Sequence, residues 1–138
     1  NKSSKGAYEI AGSDDDAVVS LFASGSEVAL AIEAKAKLDA AGHPTRVVSV
    51  PSFELFRAQE ESYRTAIIGD APVKIAVEAA IRMGWDTFVG SGGGFVGMDG
   101  FGASGPGDAL YEHFGITPDA VVDMATARLD ILAEETGA

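Results

Sequence analysis

Apolar and polar positions fall into blocks along the chain, and the block lengths separate strands from helices. Residues 17–23 (AVVSLFA) form a short, almost continuous apolar run, the pattern of a strand buried on both faces. The following SGSEVALAIEAKAKLDAAGHP carries Val28, Ile32, the stem of Lys35 and Leu38 at helical spacing, while Ala31 and Ala34 allow close approach to a sheet. Ser24 or Ser26 can cap this helix, and Glu27 lies in its first turn, where the dipole favours negative charge. Gly42, followed by His43 and Pro44, stops it. TRVVSVP (45–51) is then a β-branched strand closed by proline. Strand, helix and strand of these lengths make a βαβ unit, with parallel strands and a right-handed crossover.

The alternation continues downstream. SFELFRAQEESYRTAII places Phe53, Phe56, Tyr63 and Ile67 at helical spacing behind a capping Ser52, and Gly69 and Pro72 break it, which predicts one helix. VKIAVEAA (73–80) predicts a third, central strand. IRMGWDTFVG is turn-rich, with a brief strand at 87–89. A short helix is expected over 107–115, with Pro106 and Asp108 at its start. In the last helix Thr117 caps, Pro118 takes the first position, and Val121, Ala125, Leu129 and Leu132 form the apolar stripe. The polar lead-in, residues 1–6, receives no element. The pattern predicts one α/β domain over residues 1–138, a three-layer α/β/α sandwich around a mostly parallel sheet of about five strands.

Composition narrows the partners. The 138 residues suffice for one domain with a real core. A net charge of −11 repels phosphate backbones and anionic lipid, which argues against nucleic-acid and membrane roles. There is no cysteine, so disulfides and thiol catalysis are excluded. NKSSKGAYEI lacks the apolar region of a signal peptide, and no apolar run reaches the roughly 18–20 residues of a membrane span. The expected location is the cytoplasm.

Two stretches invite a phosphate. G-x-G-x-x-G spacing occurs at Gly92, Gly94 and Gly97, and again at Gly100, Gly102 and Gly105. A dinucleotide loop needs a strand before it, a helix after it, and an acidic residue about 20 positions on at the end of the next strand. The first match runs into FVGM, which reads as extended. The second is followed by Asp119 and Asp123 at the start of another helix. These glycines therefore read as backbone positions for a tight loop and a closely packed strand. The better anion candidate is Ser24-Gly25-Ser26, where a buried strand turns into a helix N-terminus, although the serines serve equally as caps.

Other chemistry is sparse. Asp14, Asp15 and Asp16 read as a solvated turn. His43 and His113 each lie near a helix C-terminus with no second imidazole one turn away. Glu78, inside an apolar strand, reads as a general base or as a hydrogen-bonded strand-end carboxylate. No Gly-x-Ser-x-Gly elbow occurs. No catalytic, cofactor-binding or metal-ligating residue is assigned.

Four segments in order, ASGSEVALAIEAKAKL, TRVVSVPSFELFRAQEESYR, IAVEAAIRMGWDTFVG and FVGMDGFGASGPGDALYEHFGIT, resemble the C-terminal domain of transketolases, from about Tyr8 to about Leu132. The resemblance implies a parent transferase that uses thiamine diphosphate and Mg2+. It would move a two-carbon ketol unit from a ketose phosphate to an aldose phosphate, in the pentose phosphate pathway or Calvin cycle. In that family two preceding domains hold the cofactor, the metal and the sugar phosphates around a homodimer interface. This chain has neither the Gly-Asp-Gly magnesium motif nor the histidine-rich sugar pocket. The resemblance thus implies a structural, non-catalytic domain without its own cofactor, whose partners are the preceding domains and the second subunit.

The pattern departs from the family at Gly105, where a small residue such as alanine is usual, and at the glycines 92–94, which replace a GxNG-like turn. Phe101 and Gly102 lie on a loop whose phenylalanine packs either into the core or against a neighbouring domain, with Phe95 and Met98 alongside. Tail domains of dihydroxyacetone synthase and deoxyxylulose phosphate synthase fit the same pattern. The competing reading from another class is a stand-alone anion- or nucleotide-binding module that uses the Ser24-Gly25-Ser26 turn.

Overall fold

The computed structural model describes residues 5–12, 16–25, 27–78, 86–89, 93–97 and 117–135. Five strands, β1 (Tyr8–Ala11), β2 (Val19–Ala23), β3 (Thr45–Ser49), β4 (Val73–Glu78) and β5 (Gly94–Gly97), form one sheet in the order β1-β3-β2-β4-β5. β2 pairs in parallel with both β3 and β4, and β4 with β5, whereas β1 runs antiparallel to β3. The helices are α1 (Glu27–Ala40), α2 (Phe53–Arg57), α3 (Glu61–Ile68), α4 (Asp86–Val89) and α5 (Pro118–Glu135).

The period of two along each strand sends alternate side chains to two cores. Val19, Leu21 and Ala23 of β2 join Val47, Ile75 and Val77 beneath Ala31, Ala34 and Leu38 of α1 and Val121 and Ala125 of α5. Phe22, Val48 and Ala76 point the other way, against Phe56 of α2, Ile67 of α3, and Phe88 and Val89 of α4. The sheet therefore has helices on both faces, as the βαβ pattern predicts. Every residue of β2 is buried, in keeping with its continuous apolar run.

Two of the predicted caps form. Ser52 Oγ accepts from the Leu55 amide at 3.2 Å, and Thr117 Oγ1 accepts from that of Ala120 at 3.1 Å. Past the end of α1 the His43 amide donates to the Leu38 carbonyl at 2.9 Å. Ser52→Ala is expected to lower stability by about 1 kcal/mol, read as a shift of the urea unfolding midpoint at unchanged slope.

Four local expectations are corrected. Residues 8–11, to which the pattern assigns no element, form the edge strand β1, because β3 presents a free edge that its backbone groups can satisfy. A register shift between Glu9 and Ala11 interrupts that edge pairing. The single helix expected after Ser52 divides into α2 and α3, since Glu60 is extended at φ −61 and ψ 151. Gln59 closes the break, donating from Nε2 to the Leu55 carbonyl at 2.9 Å and accepting at its own carbonyl from Arg64 Nε at 3.1 Å.

Residues 87–89 are helical, within α4, rather than a strand. That turn carries Phe88 into the second core, 4.7 Å from the ring of Phe56 and 5.3 Å from that of Phe22. Finally, the buried stripe of α1 is Glu27, Ala31, Ala34 and Leu38, while Ile32 is 40% exposed. Small residues face the sheet because they let the helix approach it closely. Ile32→Ala should accordingly change stability by no more than about 0.5 kcal/mol in chemical denaturation, as surface substitutions do.

One ion pair links the two helices of the first face. Lys37 Nζ lies 2.7 Å from Asp119 Oδ1, and this hydrogen bond and charge raise the lysine above its ordinary 10.5. Its contribution is present at neutral pH and is lost only as pH climbs through that raised value. Both groups are well exposed, so the pair contributes little.

Candidate functional site

In an open α/β sheet the crevice opens at the carboxyl ends of neighbouring strands whose connections leave to opposite sides. Here those strands are β2, which leads through α1 to β3, and β4, whose neighbour on the other side is β5. Ala23 is in register with Val77, so Ser24 and Glu78 follow side by side on the backbone at this crevice. Glu78 is also in register with Gly97, which brings the last glycine of the first match to the same edge. Two stretches that are 54 positions apart in the chain, at Ser24 and at Glu78, are thus neighbours in the fold.

The Ser24–Gly25 turn leads into α1. Gly25 sits at φ +58, and the amides of Glu27 and Val28 donate to the carbonyls of Ser24 and Gly25, both at 3.2 Å. Ser26 lies outside the described residues. Sequence reasoning missed the depth of Glu27, which is only 5% exposed. Its Oε2 lies 3.8 Å from where a β-carbon on Gly25 would stand. The chain thereby supplies its own carboxylate at this helix N-terminus, and a bound phosphate would meet that charge at close range.

Within the first glycine match, Gly94 serves packing. Gly94 belongs to β5, and a β-carbon there would stand 2.7 Å from Met124 Sδ and 2.9 Å from Arg128 Nε of α5. One on Gly93 would run into the Val89 carbonyl. Gly97 is the last residue of β5. Hydrogen atoms in place of side chains let strand and helix approach, as expected of glycines outside a phosphate loop.

The remaining candidates do not converge. His43 lies at the amino edge of the sheet, opposite the crevice, and its carbonyl accepts from Thr45 Oγ1 at 2.8 Å. Asp16 is exposed before β2. Asp14, Asp15, Phe101, Gly102 and His113 lie outside the described residues, as do the second glycine match and the helix expected over 107–115. Among the described residues no three His, Cys, Asp or Glu side chains are placed to hold a metal ion, and no helix is long and apolar enough to cross a membrane.

One polar cluster had only a lone arginine in a β-branched run as its signal. Arg46 Nε contacts Glu9 Oε1 at 2.7 Å, and its Nη1 donates to Ser20 Oγ at 3.3 Å and to the Ile68 carbonyl at 3.5 Å. These bonds tie β1, β2, β3 and the end of α3 together, so the cluster is architectural.

Comparison with known proteins places this arrangement. Residues 6–117 match the family model described as the transketolase-like TK C-terminal domain. Transketolase of Rhodobacter capsulatus is 50% identical over 127 residues, covering 88% of this chain and 19% of that protein's length. Transketolase of Sinorhizobium medicae is 46% identical, covering 99% of this chain and 20% of its own length. Among solved structures, transketolase from Leishmania mexicana superposes with a TM-score of 0.80 at 40% identity, over 91% of this chain and 18% of that one. With a five-stranded sheet, caps and packing glycines where the pattern predicts them, and a match over most of its length, the chain belongs to the transketolase C-terminal domain family.

Proposed function

We propose that these 138 residues are the C-terminal domain of a larger transketolase. The parent transfers a two-carbon ketol unit between sugar phosphates with thiamine diphosphate and Mg2+. The observation that carries this reading is the lopsided match: nearly the whole chain aligns, yet with only 19% of the R. capsulatus transketolase. The rest of such a protein is the natural partner of this domain, together with a second subunit in a cytoplasmic homodimer.

The described residues do not fit the cofactor. Its diphosphate would face Glu27 at the start of α1. No catalytic step is therefore assigned to this chain, and its role is scaffolding. The same carboxylate weighs against a stand-alone anion-binding module at Ser24-Gly25-Ser26.

The test is an exchange. The corresponding C-terminal stretch of R. capsulatus transketolase is replaced by residues 1–138, and ketol transfer is assayed in the chimera and in the isolated chain. The chimera is expected to stay within about tenfold of the parent's kcat, and the isolated chain to show no turnover with thiamine diphosphate and Mg2+. Turnover by the isolated chain would overturn the reading, as would a folded chimera without activity.

A further inference from the structure

We draw no further inference here: the strongest candidate, the groove of about 320 Å³ between the start of β4 and the C-terminal half of α5, lined by Lys74, Arg128, Ile131, Leu132 and Glu135, carries nothing because nothing in the structure shows what covers it.

Discussion

Gly6→Val is expected to destabilise the domain by about 3 kcal/mol or more, the sum of a left-handed backbone position and a steric clash. Gly6 is buried at φ +85, a conformation that a β-branched residue adopts only under strain. A β-carbon would also collide with the Phe56 amide nitrogen and the Ser52 carbonyl oxygen. Both are backbone atoms, one in α2 and one at its N-cap, so a rotamer change cannot relieve the contact. The Gly6 carbonyl accepts from the Ser52 amide at 3.1 Å, and displacing it would break that bond. Next to it Tyr63 Oη donates to the Ala7 carbonyl at 2.7 Å, and the Lys5 ammonium lies 4.7 Å from the centre of the Tyr63 ring. The substitution therefore strikes the point where the chain joins the sheet. Thermal unfolding should show Tm lower by roughly 10 °C. A loss below about 1 kcal/mol would mean that this segment does not pack as described.

Phe22→Ala should cost about 3–5 kcal/mol, a large part of the roughly 5–15 kcal/mol that holds a domain together. Phe22 sits in the central strand with no exposed surface. Its ring is the floor on which Phe88 rests, and Phe88 in turn meets Phe56 at 4.7 Å and Phe53 at 5.7 Å. Truncation leaves a cavity beneath three rings carried by two short helices, and a rigid sheet cannot collapse into it. Because the rings share contacts, Phe22→Ala and Phe88→Ala together should cost less than the sum of the two, by about 0.5–3 kcal/mol. Urea unfolding of the two single variants and the double variant measures both quantities. Strict additivity would show that the aromatic cluster is not formed.

Much of this was legible because it is local. β2 declared itself by a run of apolar residues too short for a helix, and α1 by its period and its glycine stop. Ser52 and Thr117 announced helix starts, since a hydroxyl before a helical run meets free amides within three residues. The crevice was half legible: the strand-turn-helix at Ser24 reads from the sequence, but its proximity to Glu78 depends on the β2–β4 register. The depth of Glu27 was not legible, because a first-turn carboxylate reads as dipole chemistry whether it is exposed or buried.

The sequence alone determined the class of the domain, the parallel βαβ unit, the helix caps and the family. Each of these is stored in residue types at fixed spacing, and a segment's own backbone preferences and apolar period express them without reference to distant partners. Tertiary structure alone decided that residues 8–11 form a strand, that residues 86–89 turn helical, and that Ile32 of α1 faces outward. The short segments are too brief for their own preferences to prevail. The state they take is the one in which a free sheet edge is paired, Phe88 reaches its aromatic neighbours, and a helix lies as close to the sheet as its smallest side chains permit.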